Sequence, residues 1–570
     1  MQTPSNPIKH PRRHPVPPGS HINLVTQNFK FVGPGGATGS ARASVSTNTR
    51  LRWHWRCAQA MASPPMALPD AASAFTRLSA SRGALGPLGA VAGGALPTTV
   101  LSSCARALLP LLSSAAALPL RATCREAAAA IAQHPWEDSE TVIRGRVRDW
   151  RACFPRARAA NFSAYDANLE KRLHVLPLAD AELVHLAGLR TLNITGRKEL
   201  TDAAFAHLRG IHTLDMTWCN QPGITDAAFA HLAGVHTLNM SGCGYEITDA
   251  AFFHLRGIHT LDMSECKSAG ITDAAFVHLR GIRRLSMDRC RYLDITASDA
   301  AFEHLRGIHT LEMCYCRLAG ITDAAFAHLC GIHTLYIKGC SKLTDAAFAY
   351  LRGIHSLDIS ECSQAGVTDA AFAHLRGIHT LNMSACSQAG ITDAAFAHLT
   401  GIRSLNMSCY QGGITDAAFA HLRGIHTLDM SFCNQAGITD AAFVHLTGIH
   451  TLDISSCHDI TDAAFSHLRG IHTLNMNNCR QTGITDAAFA HLRGIHTLEM
   501  GGCDQAGITD AAFAHLCGIH TLKIDWRLLA GITDAACVNL RGIHLLQMSS
   551  YDGSYVDRAR AHGLNVQIYN

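Results

Sequence analysis

The sequence predicts an α/β solenoid, with one parallel sheet on one side and short helices on the other. Three observations carry that expectation. The phrase GITDAAFAHLRGIHTLDM at residues 413–430 recurs nearly unchanged at 389–407, 437–454 and 483–500, and looser copies run from about 178 to 548. Self-similarity at a fixed short period marks stacked units, not several separate cores. Each copy also joins a helix-type stretch to a strand-type stretch, with a glycine between them. Hydrophobic residues make up 48% of the 570 but aromatics only 6%, so the long core must be aliphatic and thioether-rich.

One copy, Ile414 to Cys433, shows why each element forms. Thr415 is an N-cap and Asp416 places an acid at the helix start. Ala417 to Leu422 favours about two helical turns, with Phe419 and Leu422 on one face. Arg423 suits the last turn, and Gly424 takes the left-handed position that ends it. Leu428 and Met430 alternate with polar neighbours, the period of a strand with one buried face. The helix is too short to survive alone in water, and a lone strand has open edges. Stacking removes both difficulties. The position of Met430 recurs sixteen times, from Ile194 to Met548, at spacings of 22 to 26 residues.

Outside the repeats the chain changes character. Residues 1–95 are Pro-, Gly-, Ser- and Ala-rich, a disordered basic low-complexity tail by composition. They hold ten Lys/Arg against Asp70 alone; the chain's net +4 therefore leaves −5 on residues 96–570. A mildly acidic solenoid is a poor nucleic-acid surface. The tail fits either an organelle transit peptide, pointing to a plastid or mitochondrion, or a plain extension. Residues 83–105 are uncharged but Gly-rich and hold Pro87 and Pro97, so no membrane span is expected. Residues 96–137 read as short helices, 138–177 as a linker and N-terminal cap, 178–550 as the repeats, and 551–570 as a C-terminal cap.

The 21 cysteines are odd in number, and most share one repeat position, from Cys219 to Cys503. This argues against a secreted disulfide framework and for a reducing compartment, cytoplasmic or nuclear, with the thiols serving as small buried hydrophobes. The 35 histidines fall mostly into two ladders, exemplified by His421 and His426, without acids or thiolates at ligand spacing, so no metal is expected. Stacked strands would bring neighbouring imidazoles close, and acid would then weaken the solenoid. No nucleophile elbow, phosphate loop or paired-carboxylate motif appears; the chain is expected to be no enzyme and to need no cofactor.

Ile425, Leu428, Met430 and Cys433, followed by Ile438-Thr439-Asp440, fit Leu-x-x-Leu-x-Leu-x-x-Cys then Ile-Thr-Asp. This resembles the cysteine-containing class of leucine-rich repeat. The resemblance implies a curved, horseshoe-shaped solenoid with a concave parallel sheet and convex helices. That class is frequent in F-box proteins, the substrate-recognition subunits of SCF-type ubiquitin ligases. Leu96-Pro97, Val100, Leu101, Leu108, Leu109, Leu112, Leu118, Leu120, Arg121, Cys124, Arg125 and Trp136 follow the order of a divergent F-box, although Thr98, Thr99, Thr123 and Ala127 depart from it. The resemblance then implies docking of a Skp1-like adaptor, and through it a cullin complex, by Leu96, Pro97, Leu101, Leu120 and Cys124. The alternative is a leucine-rich-repeat binding scaffold in which residues 96–137 are only a helical cap. A docking F-box must expose apolar residues that a cap buries.

Sequence variation between copies concentrates at the strand and just after it, while ITDAAFAHL barely changes. The site between Leu428 and Met430 is a ladder of acids and amides, such as Asn406, Asp429 and Asp453. The candidate protein-substrate residues are Trp218, Arg284, Asp288, Arg289, Tyr315, Tyr336, Lys338, Phe432, Lys523, Asp525 and Trp526, aromatic and charged anchors of the kind that dominate interfaces. Drift at solvent-exposed sites after recent duplication is the competing explanation.

Overall fold

The computed structural model describes residues 113–121, 125–166, 171–244, 246–290, 299–316, 321–339, 342–362, 366–386, 389–409, 413–525, 532–549 and 553–569. Residues 1–112 lie outside this set, and with them the sequence-derived tail, the uncharged stretch 83–105 and most of the F-box-like motif.

Eighteen parallel strands form one sheet. Sixteen are repeat strands, from Thr191–Asn193 to Leu545–Ser549; Ala159–Asn161 precedes them and Val566–Tyr569 follows. Register is strict: Asn406 pairs with Asp429, and Asp429 with Asp453, so each repeat position becomes a straight row. The middle leucine of each repeat strand and the methionine or isoleucine two residues on are buried, as are the alanine and phenylalanine of most of the facing helices, for example Leu428, Met430, Ala418 and Phe419. These rows join into one continuous hydrophobic core.

The helix side is tighter than the sequence predicts. Asp416–Phe419 makes a single α turn, and Ala420–Leu422 continues as a 3-10 turn. In other copies the whole segment is 3-10, as in Asp273–Leu279. A tight 3-10 turn is common at a helix C-terminus, and Gly424, at φ +80°, then turns the chain into the next strand.

Polar ladders bind one repeat to the next. The Thr415 hydroxyl accepts from the Ala417 N–H at 3.3 Å, the expected N-cap. Asp416 does more than favour the helix dipole: its carboxylate accepts from the Thr439 N–H at 2.7 Å and the Thr439 hydroxyl at 2.8 Å in the following repeat. The thiols are more than small hydrophobes too. Cys479 Sγ donates to the Ile454 carbonyl at 3.2 Å and Cys243 Sγ to the Met216 carbonyl at 3.0 Å, one repeat back. Burial pushes the Cys479 thiol up to about 12, which keeps it protonated and donating. No disulfide joins the described cysteines.

Both histidine ladders are built as rows. His426, His450, His472, His496, His520 and His544 stack with ring centroids 4.3–4.5 Å apart. Arg283 and Arg403 occupy the equivalent positions between the three stacked runs. In the helix-end ladder a histidine accepts from the preceding repeat's arginine where that repeat has one, as His445 Nδ1 does from Arg423 Nε at 3.3 Å; Ala233, Thr400 and Thr447 interrupt the series.

Aromatic residues close the N-terminal end. Trp136, Trp150, Phe154 and Phe162 meet at centroid separations of 5.3–5.8 Å and join the solenoid core. Arg197 stands at the cysteine position of the first repeat. Its Nε donates to the Phe162 carbonyl at 2.5 Å, the same one-strand-back bond the thiols make. At the other end, the helix Gly553–Ala561 precedes the final strand, which pairs with Leu545–Ser549. Among the described residues no helix is long and apolar enough to cross a membrane.

Candidate functional site

The ladder of acids and amides is first a piece of backbone chemistry. Asp429 Oδ1 accepts from the Ser431 N–H at 3.0 Å, Asp358 from Ser360 at 2.8 Å and Asn406 from Ser408 at 2.9 Å. A short side chain with an acceptor oxygen is what caps an N–H two residues ahead. This explains why Asp and Asn dominate the row. One oxygen of each is committed to the turn, and the second carboxylate oxygen of Asp358 and Asp453 accepts from the amide of the neighbouring strand's asparagine.

One residue after the capped N–H, the chain enters the left-handed region. Ten side-chain-bearing residues occupy it at φ +54° to +58°: Trp218, Glu265, Arg289, Tyr315, Glu361, Ala385, Cys409, Phe432, Ser456 and Asn478. Glycine holds the same place at 196, 242, 339 and 502. An L-residue pays about 1–2 kcal/mol there. The strain is tolerated because each N–H is held by the next repeat: Phe432 donates to the Ser455 carbonyl and Trp218 to the Ser241 carbonyl, both at 2.8 Å.

The glycines in this row have a spatial role. A Cβ on Gly242 would lie 2.1 Å from the Trp218 ring, and one on Gly502 would lie 2.1 Å from Asn478 Oδ1. The left-handed side chain of one repeat therefore leans over the next repeat's glycine. Tyr315 uses the gap at Gly339 to reach two repeats along, where its hydroxyl donates to Glu361 Oε1 at 3.1 Å.

The structure brings six candidate residues together in the middle of the sheet. Arg284 pairs with Glu312 at 2.7 Å, Arg289 with Glu265 at 3.1 Å, and Lys338 with Glu361 at 3.1 Å while lying over the Tyr315 ring. Tyr315, and after it Glu361, holds the Lys338 ammonium above its ordinary value. Asp288 accepts from the Cys314 N–H at 2.6 Å, and burial raises its carboxyl. Tyr336 sits in register between Glu312 and Asp358. The cluster is thus a charge-balanced patch, not a bare cationic one. Near the C-terminus, Lys523 pairs with Glu499 at 3.3 Å, and Asp525 accepts from the Tyr569 hydroxyl at 2.6 Å. Phe432 stands apart and is 52% exposed. Trp526 lies outside the described residues.

Of the adaptor-docking candidates, Leu96, Pro97, Leu101 and Cys124 lie outside the described residues; Leu120 falls in the helix Ser114–Arg121. The described part of that segment buries its apolar groups: Ala117, Ile131 and Trp136 are at most 2% exposed and belong to the solenoid core. Among the described residues no group of three or more His, Cys, Asp or Glu is placed to hold a metal ion.

Sequence reasoning missed the left-handed row as a structural class, and missed Tyr165, which meets Trp218 edge-to-face at 4.4 Å. The available signal was the alternation of glycine with large residues at one repeat position.

A comparison with protein families agrees with this geometry. A family model described as a BspA type leucine rich repeat region matches residues 295–403, 319–443, 365–496 and 413–534. The repeats form a leucine-rich-repeat solenoid. No curated protein sequence matches the chain. Among solved structures, Toll in its Drosophila complex with Spatzle is 18% identical with a TM-score of 0.47, covering 63% of this chain and 49% of Toll's. Mouse RP105 in complex with MD-1 is 12% identical with a TM-score of 0.45, covering 72% and 78%. Yeast Rad7 in complex with Elc1 is 14% identical with a TM-score of 0.38, covering 55% and 81%. The chain thus spans about half the length of the Toll chain it matches.

Proposed function

We propose that this chain is a non-catalytic protein-binding scaffold whose partner lies on the sheet side, along the left-handed row. One observation carries the reading. Ten of the fourteen described positions in that row keep a side chain in a conformation that favours glycine, and those side chains vary from copy to copy while the ITDAAFAHL stretch barely changes. Backbone strain that recurs at one surface position points to use of that surface. Arg289, Tyr315 and Phe432 are the residue types that anchor interfaces.

A finer form of this reading is a substrate receptor of an SCF-type ubiquitin ligase. It is supported by the cysteine-type repeat and by the Leu96-Pro97 to Trp136 pattern directly before the repeats. In that role the chain holds a protein substrate near a ubiquitin-loaded enzyme, and catalysis is by proximity. The burial of Ala117, Ile131 and Trp136 in the solenoid core favours the plain cap for residues 113–137. Localisation to cytoplasm or nucleus belongs with either form.

The test has two arms. Binders selected from a display library against the full chain should lose at least tenfold in affinity on Tyr315→Ala or Phe432→Ala and nothing on Val444→Ala of the helix side. Capture of a Skp1-family adaptor by the full chain, abolished by Leu96→Ala/Pro97→Ala/Leu101→Ala in a folded variant, selects the ligase form; absence of capture selects the plain scaffold.

A further inference from the structure

We infer that the cap-proximal end of the sheet side carries a built pocket for a carboxylate-bearing peptide residue, with Trp218 and Tyr165 as its walls and Arg172 and Lys198 as its cations. The inference rests on the scaffold reading and names the chemistry of one contact within it.

Tyr165 and Trp218 meet at 86° with centroids 4.4 Å apart. With Arg172, Lys198 and Asn220 they line a pocket of about 210 Å³, room for one side chain. Two glycines make room for its walls. A Cβ at Gly196 would come within 3.3 Å of Tyr165 Cβ, and one at Gly242 would strike the Trp218 ring. Trp218 itself sits at φ +57°, so the wall is held in place against backbone strain.

Charge selects the ligand. The strand row beside the pocket is acid and amide, Asn193, Asp215 and Asn239. Four cations elsewhere on the sheet side are already paired: Arg284, Arg289, Lys338 and Lys523 each face a glutamate. Among the described residues no ion pair engages Arg172 or Lys198, and both side chains are exposed at the pocket. Two cations beside two aromatic faces and the Asn220 amide suit a carboxylate whose neighbouring apolar or planar group rests on the rings. Charge-assisted bonds supply orientation and the rings supply buried area.

The probe is a fluorescein-labelled peptide of alternating glutamate and phenylalanine, read by fluorescence anisotropy with the full chain. A C-terminally amidated version separates side-chain carboxylates from the terminal one, and a lysine–phenylalanine peptide controls for apolar binding. The glutamate peptide should bind and the lysine peptide should not. Trp218→Gly should weaken binding at least tenfold; glycine already fills that row position in four repeats, so the fold is kept. Arg172→Glu/Lys198→Glu should do the same, with an unchanged far-UV spectrum, while Phe432→Ala should leave the affinity alone. Equal binding by parent and both variants, equal binding of the two peptides, or no binding of the glutamate peptide overturns the pocket. If the library binders still depend on Tyr315 and Phe432 in that event, the scaffold reading stands and only the pocket falls.

Discussion

Arg197 is the joint between cap and solenoid, and replacing it isolates that joint. Its side chain is 3% exposed, and burial lowers its pKa. Nε donates to the Phe162 carbonyl at 2.5 Å, and Nη1 donates to the Leu176 carbonyl at 2.6 Å and to Glu199 Oε1 at 3.1 Å. Arg197→Met keeps the apolar stem and removes all three bonds. Each bond to a charged group contributes about 1.5–3 kcal/mol, and the two carbonyls left behind carry a desolvation cost of about 1–3 kcal/mol each. Against this, the variant no longer buries a cation, a relief of several kcal/mol. The balance is a loss of about 3 kcal/mol, the low end for removing one partner of a buried pair. It is the low end because Glu199 is 35% exposed and can turn to water.

That loss should be local. Stability in a repeat array is a sum over units and their interfaces, so the cap should open first. Hydrogen exchange followed by mass spectrometry reads it directly. Amides over residues 131–162 should exchange about 100-fold faster, since each 1.4 kcal/mol is about tenfold. Peptides over 413–520 should not change. Unchanged protection over 131–162 would refute the assignment of Arg197 as the joint.

Other expected outcomes follow from the ladders. Burial, and after it the imidazoles on either side, lowers the pKa of His333 and His496; burial, and after it Arg256, does so for His278. The unfolded chain therefore binds more protons: stability is complete above the free imidazole value of about 6.5 and declines as pH falls below it through the lower folded values. The melting temperature should be lower at pH 5.5 than at 7.5, and equal values would sink the idea. Iodoacetamide under native conditions should label Cys330, Cys409 and Cys517, which are exposed, and spare Cys219, Cys266, Cys479 and Cys503 until denaturant is added; peptide mapping that finds the buried thiols labelled at native rates contradicts the thiol ladder. Phe432→Gly removes left-handed strain worth about 1–2 kcal/mol, part of which the freer unfolded chain takes back. Urea denaturation should show a net gain of about 0.5–1 kcal/mol, and a loss would mean that Phe432 packs where its 52% exposure says it does not.

Much of one repeat was readable before the structure, because the signals are local. Leu428 and Met430 announce a strand by alternation, Thr415 announces the helix start, and Gly424 announces its end. What was not readable lies between repeats. Asp416 looks like a helix-start acid, and its bonds to Thr439 appear only when the stack sets the register. The cysteines look like small hydrophobes until a carbonyl one strand back is in reach. Arg197 interrupts the cysteine pattern and reads as an exception, yet it makes the same bond with a longer arm. The candidate anchors were found by their variability, but their mutual pairing was not, because Tyr315 meets Glu361 across two repeats. Left-handed backbone is signalled by glycine, and ten of the fourteen described positions carry something else.

The central claim is that partners lie along the left-handed row on the sheet side. The most direct measurement places a photo-crosslinking amino acid, one position at a time, at Tyr315 and Phe432 on the sheet side and at Phe253 and Val444 on the helix side, where the native side chains are 51% and 49% exposed. Each full-length variant is then irradiated with a binder selected against the parent chain. The account predicts discrete adducts from positions 315 and 432 and none from 253 and 444. Adducts from the helix-side positions alone, or equally from both sides, would contradict it.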